Sequence, residues 1–149
     1  ENEMKILVIN GVNMNFLGIR NKEVYGNKDY NYLLKMIEEK AKELKVEVEC
    51  FQSNHEGAIV DKLQEAYFED VAGIVINPAA FTHTSVAIRD ALESIGCIKV
   101  EVHISNISDR EDFRHKSLTQ PVCNGQIAGL GLDGYTLAME YIVKNVTGR

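Results

Sequence analysis

A carboxylate and an imidazole stand two residues apart in the run Ile98-Lys99-Val100-Glu101-Val102-His103-Ile104-Ser105-Asn106. In extended chain the side chains alternate between faces, so Lys99, Glu101 and His103 share one face while Ile98, Val100, Val102 and Ile104 share the other. A central parallel strand is normally apolar on both faces. The polar face is therefore expected to meet a binding site or a subunit interface, where Glu101 can orient the His103 ring and hold its proton for acid-base work. A structural histidine satisfied by its neighbour is the competing reading of the same pair.

A second polar group follows the apolar run Gly73 to Asn77, in Asn77-Pro78-Ala79-Ala80-Phe81-Thr82-His83-Thr84-Ser85. Thr84 or Ser85 suits the N-cap of a following helix. That sets His83 at a helix N-terminus, which favours a neutral imidazole able to hydrogen-bond a hydroxyl group. Capping accounts for the Thr and Ser, but not for His83 or the Asn77-Pro78 turn. A third group is Asn10-Gly11-Val12-Asn13-Met14-Asn15-Phe16-Leu17-Gly18-Ile19-Arg20, with Tyr25-Gly26 beyond it. It contains neither GxGxxG nor GxxxxGK, which speaks against a dinucleotide or P-loop site; its asparagines offer neutral donors and acceptors instead. The stretch Leu17 to Asp29 is bounded by Gly18 and Gly26 and has little apolar periodicity, as expected of a mobile lid carrying Arg20 and Tyr25. A solvated surface loop is the simpler reading of those residues alone. The segment Asn106 to Pro121 holds Arg110, Arg114, His115 and Ser117 and is long for a compact domain, and structureless loops of that length are usually functional. Its Glu111, Asp112 and Lys116 read as solvated charges.

These groups need elements to bring them together. Strand-like runs at Lys5 to Asn10, Glu47 to Gln52, Gly73 to Asn77, Ile98 to His103 and Gly125 to Ala128 alternate with helical spacing at Tyr30 to Leu44, Ala58 to Tyr67, Ser85 to Ser94 and Tyr135 to Val146. Leu33, Leu34, Ile37, Ala41 and Leu44 form the apolar stripe of the first helix. Strands joined by helical crossovers predict an α/β fold, a parallel sheet with helices on both faces. Five of them suit the flavodoxin-like order 2-1-3-4-5. Ligands in such sheets bind beyond the carboxyl ends of the strands, which selects the positions after Asn10, after Asn77 and at His103.

The 149 residues, 45% hydrophobic, suit one catalytic domain over residues 1–149, with Glu1 to Glu3 as an expression remnant ahead of Met4. A formal charge of -6 and the lack of a basic patch argue against nucleic acid or an anionic membrane as partner. Arg20, Arg110 and Arg114 nevertheless fall in two loop segments, so a local anion site can exist in an acidic protein. Cys50, Cys97 and Cys123 sit in or beside hydrophobic runs with no CxxC or HxxxH spacing, as expected of buried thiols in a reducing cytosol. No metal set and no membrane span is legible, and a cytoplasmic location is expected. Other functions share the predicted fold. A receiver would place acidic residues where Asn10 stands, a flavin carrier would need a Ser/Thr/Gly phosphate loop there, and a Ser-His-Asp hydrolase would need a GxSxG elbow.

Taken together, Asn10-Gly11, Ser53-Asn54-His55-Glu56-Gly57, Asn77-Pro78, Thr82-His83-Thr84-Ser85, Glu101-Val102-His103 and Arg114 resemble type II dehydroquinase, in order and over most of the chain. One departure is Val12, where that family usually has Asn-Gly-Pro-Asn; valine restores a backbone N–H and loosens φ. The resemblance implies cofactor-free and metal-free dehydration of 3-dehydroquinate to 3-dehydroshikimate, a step of the shikimate pathway. It implies that Tyr25 is the base and Arg20 the lid residue that activates it, since a phenol of pKa ~10 serves near neutral pH only if cations stabilise phenolate. Asn13 is similar to the residue that holds a water against an enolate oxygen, and His103, held by Glu101, to the acid that protonates the departing hydroxyl. The substrate carboxylate is implied at the Ile104 and Ser105 N–H groups and the Ser105 hydroxyl, and the ring hydroxyls at Asn77, His83 and Arg114. Arg110 and Asp90 are implied as a pair across subunits of a dodecamer of four trimers. The unrelated second class of dehydroquinase, a Schiff-base (β/α)₈ barrel, typically needs ~250 residues, more than this chain has.

Overall fold

Alternate residues of the strand-forming runs enter two different cores, and this wraps the sheet on both faces. The structure, a computed structural model, describes residues 4–19 and 22–146, apart from the side chains of Val24 and Tyr25. Strands β1 (Lys5–Asn10), β2 (Glu47–Gln52), β3 (Gly73–Asn77), β4 (Ile98–His103) and β5 (Gly125–Ala128) pair in parallel in the order β2-β1-β3-β4-β5. The helices are α1 (Lys22–Tyr25), α2 (Tyr30–Leu44), α3 (Glu56–Glu69), α4 (Val86–Glu93) and α5 (Asp133–Asn145). Ile6, Val8, Val75, Val100 and Val102 pack with Leu33 and Ile37 of α2 and Tyr135, Met139 and Ile142 of α5. Leu7, Ile9, Ile74 and Ile76 pack with Ile59 and Leu63 of α3 and Ile88 and Leu92 of α4. The five predicted strands and α2 have the expected bounds. α3 and α5 each begin two residues earlier than expected, at Glu56 and Asp133, while α4 is shorter because Ser85 is its cap.

Side chains close the helix starts that matter here. Asp29 accepts from the Tyr32 N–H (2.9 Å) at the head of α2, and Ser85 accepts from the Ile88 N–H (2.9 Å) at the head of α4. The buried Ser85 hydroxyl also donates to the Glu56 carboxylate of α3, which joins the two helices on that face. Lys5 and Lys62 bind Glu49, Glu69 and Glu65, a cluster of carboxylates away from the strand ends. None of the three cysteines is in a disulfide, and burial pushes the Cys50 and Cys123 thiols up to about 12. Among the described residues no helix is long and apolar enough to cross a membrane.

At the carboxyl end of the sheet the chains leaving β1 and β3 cross in contact. The Gly11 N–H donates to the Asn77 carbonyl (2.8 Å), and a Cβ at Gly11 would lie 2.2 Å from the Pro78 oxygen. Both partners are backbone, so neither can swing aside. Gly11→Ala is therefore expected to lower stability by roughly 2–4 kcal/mol. The check is a fall in the urea midpoint at constant m value; an unchanged midpoint would mean that the crossing loosens at no cost.

Candidate active site

β4 turns its polar face under neighbouring segments of its own chain. Lys99 is buried, and its ammonium donates to the Leu92 and Ile95 carbonyls (both 2.5 Å) at the end of α4. That internal cap accounts for a residue otherwise read as facing a site or a partner. Glu101 is fully buried. Its Oε2 accepts from His103 Nε2 (2.7 Å), the Ser117 hydroxyl (2.9 Å) and Gln126 Nε2 (2.8 Å), and its Oε1 accepts from the Thr119 hydroxyl. Burial pushes the carboxyl up, but the bonds from His103, Thr119 and Gln126 outweigh it and hold Glu101 below the usual glutamate range. Its contribution to stability is thus present above the ordinary value of 4.5 and is lost as pH falls through the lowered one. An ionised carboxylate only accepts, so the network assigns the shared proton to His103 Nε2. Nδ1 is left as the open nitrogen of a ring that lines a cavity.

The cavity, about 210 Å³, lies where the three strand ends meet, as the topology predicts. Asn13 and Met14 line it from the first loop, Asn77 from the end of β3, and His103, Ile104 and Ser105 from the end of β4. Arg110 and Arg114 close the remaining side. Both guanidinium groups bring positive charge to the wall of a cavity in a chain of charge -6, Arg114 while also paired to Glu111. The N–H groups of Ile104 and Ser105 have no protein acceptor among the described residues.

The sequence profile of the family Dehydroquinase class II matches residues 4–143. The chain belongs to the class II dehydroquinases. It is 65% identical over 141 residues to a 3-dehydroquinate dehydratase of Lachnospira eligens, which covers 94% of this chain and 96% of that one. A 3-dehydroquinate dehydratase of Thermotoga neapolitana is 60% identical, with 95% of each covered. Among solved structures, a type II dehydroquinase from Butyrivibrio crossotus superposes with a TM-score of 0.91 at 63% identity, over 94% of this chain and 97% of that one. One from Propionibacterium acnes gives 0.88 at 38% identity, over 95% and 98%.

In this class II dehydroquinase the cavity collects Asn13, Asn77, His103, Ile104, Ser105, Arg110 and Arg114 from the residues singled out in the sequence. Glu101 stands directly behind His103. His83 is not on the cavity wall: it ends a 3-10 turn (Ala79–His83) ahead of the Ser85 cap, and its Nδ1 donates to the Lys116 carbonyl (2.8 Å). Asp90 is exposed on α4 and, among the described residues, forms no ion pair with Arg110 within the chain. Glu111 is not merely solvated: it accepts from Arg114 Nε (2.7 Å), a bond that with its own backbone N–H keeps its carboxyl low. The segment after β4 is likewise not structureless, holding 3-10 turns at Ile107–Asp109, Asp112–Arg114 and Gln120–Val122.

Arg20 lies outside the described residues, as does the Tyr25 side chain, whose backbone ends α1. The expected lid thus contains a helical turn. Its flanking glycines have φ +85 (Gly18) and +60 (Gly26), and a Cβ at Gly18 would lie 2.9 Å from Asp29 Cα, so the two ends of the segment meet. In the first loop Asn13 adopts φ 70, its N–H donating to Asn54 Oδ1 (2.9 Å) while Gln52 Nε2 donates to the Gly11 carbonyl (3.1 Å). Val12, the departure from the family pattern, lines the cavity, and its N–H has no protein partner among the described residues. The N–H that proline would remove is therefore unused here.

Several residues that shape the site stand outside the sequence motifs. Tyr135, buried at the head of α5, donates to Asn10 Oδ1 (2.5 Å) and accepts from Asn77 Nδ2 (2.9 Å), while Asn77 Oδ1 accepts from the Ala79 N–H (3.0 Å). This chain orients the Asn77 amide. Two strands that each end in a buried asparagine were the available signal, because a buried amide requires a partner. Thr119 and Gln126, like Gln52, carried no signal, since their partners are remote in sequence.

Proposed function

We propose that this chain is a 3-dehydroquinate dehydratase that forms 3-dehydroshikimate and water from 3-dehydroquinate. The observation that carries the reading is the Glu101-held His103, open at Nδ1 on a cavity lined by Arg110 and Arg114, in a chain 65% identical to a 3-dehydroquinate dehydratase. In this reading the substrate carboxylate binds the open Ile104 and Ser105 N–H groups and the Ser105 hydroxyl, and Asn77 and Arg114 take ring hydroxyls; His83, off the described cavity wall with Nδ1 on the Lys116 carbonyl, joins them through Nε2. Tyr25, as phenolate beside Arg20, removes the proton next to the ketone. The C–H electron pair becomes an enolate, stabilised at Asn13. His103, as imidazolium, then gives its Nδ1 proton to the hydroxyl, the C–O bond breaks, and water leaves. The neutral ring keeps its Nε2 proton against Glu101, and a proton transfer back from Tyr25 restores the start. The resemblance extends the proposal to a cytoplasmic homododecamer in which Arg110 pairs with Asp90 of a neighbouring subunit.

The direct test is to mix the purified protein with 3-dehydroquinate and follow the ultraviolet absorbance of the conjugated enone. A rise that depends on enzyme concentration is expected. Its absence from neutral to mildly alkaline pH would remove the assignment.

A further inference from the structure

The carboxylate behind His103 is held by more than its histidine. Thr119 is fully buried, and its hydroxyl is a donor to Glu101 Oε1, while Oε2 takes Ser117 and Gln126 besides His103. The Ser117 hydroxyl is itself aimed by the Thr119 and Gln120 N–H groups (3.2 and 2.9 Å). The same stretch is stapled on its other side. Leu118 donates its N–H to the Thr82 carbonyl (2.8 Å), Arg89 of α4 reaches the Leu118 carbonyl (3.0 Å), and His83 bonds the Lys116 carbonyl. The hydroxyl donors therefore reach Glu101 only when this segment is seated.

We propose that Thr119, aided by Ser117 and Gln126, is a positioning residue that tunes the acid: its hydrogen bond into Glu101 loosens that carboxylate's hold on the imidazolium of His103. Each donor draws charge from the carboxylate, so less attraction holds the proton that Nδ1 must release. The other charged or titratable groups around the pair are Lys99 on β4, engaged by the end of α4, Cys123 ahead of β5, whose thiol Glu101 helps to keep protonated, and Arg110 and Arg114 across the cavity. Arg20 and the Tyr25 side chain lie outside the described residues. Gln126 of β5 and Asn77 of β3 are neutral. The proposal rests on His103 being the acid.

The experiment compares wild type, Thr119→Val, Thr119→Ser and Ser117→Ala in kcat and KM against pH with 3-dehydroquinate. ¹⁵N-histidine NMR then follows the His103 titration, the signal being identified among the four histidines by its loss in His103→Ala. Thr119→Val should move the alkaline limb of kcat and the His103 midpoint upward by about half to one pH unit, lower neutral kcat ~3–10-fold and change KM less than ~2-fold. Thr119→Ser should restore both, and Ser117→Ala should shift in the same direction, which keeps the test open if Thr119→Val fails to fold. A midpoint unmoved in every folded variant, or a loss of activity not rescued by Thr119→Ser, would overturn the proposal while leaving the acid assignment intact. Dehydration at the wild-type rate in His103→Ala would instead sink that assignment, and the proposal with it.

Discussion

Tyr25→Phe is expected to abolish both dehydration and solvent deuterium exchange at the carbon next to the ketone. In the proposed sequence the enolate forms first, so removing the base removes everything downstream. His103 acts later. His103→Ala should block dehydration yet leave measurable exchange, provided the enolate regains a proton faster than it expels hydroxide. Loss of either general catalyst should cost ~10²–10⁴ in rate. NMR of recovered substrate in D₂O, with dehydration followed by absorbance, separates the two steps. Exchange at the wild-type rate in Tyr25→Phe would show that the base lies elsewhere and would take the lid assignment with it.

Glu101→Gln should be nearly as damaging, although it changes a side chain that does not reach the cavity. Oε2 alone accepts three hydrogen bonds. An amide can keep its oxygen at the Oε2 position and turn its NH₂ to the Thr119 hydroxyl, which can accept, but it carries no charge. The imidazolium then loses its ionised partner, and less of the ring is protonated near neutral pH. Replacing the carboxylate behind a catalytic histidine by an amide costs ~10⁴ in the serine protease triad, so a fall in kcat of ~10²–10⁴ is expected here. The alkaline limb of kcat should move down by ~1–3 pH units, because removing an adjacent negative charge makes the acid give up its proton earlier. This is opposite in sign to the Thr119→Val shift. A variant with wild-type kcat and an unmoved limb would show that Glu101 only fills space.

Family membership explains why so many site positions were legible in one sequence. Asn77, Glu101, His103 and Arg114 stand in ordered motifs at strand ends, and an α/β sheet must bring those ends together. Period 2 along β4 sorts its two faces but does not show what covers them. Lys99 and Glu101 were expected to point to a site or a partner, whereas α4 and the chain from Ser117 to Gln126 cover them from within. A long side chain can satisfy carbonyls at the end of a neighbouring helix, and no alternation along one strand reveals that neighbour.

The sequence by itself determined the β-α alternation, the strand bounds, the parallel sheet and the three strand ends at which a ligand would bind, because hydrophobic period and crossover length are local properties of the chain. Tertiary structure decided which nitrogen of His103 is open, since the donors that ionise Glu101 arrive from residues 16 to 25 positions further along. It also placed His83 off the described cavity wall, tying its ring to the Lys116 carbonyl across 33 positions. It oriented Asn77 through Tyr135, 58 positions away. Partners so remote leave no spacing to read: a hydrogen bond depends on where two atoms finish in space, and only the packed sheet and its loops decide that.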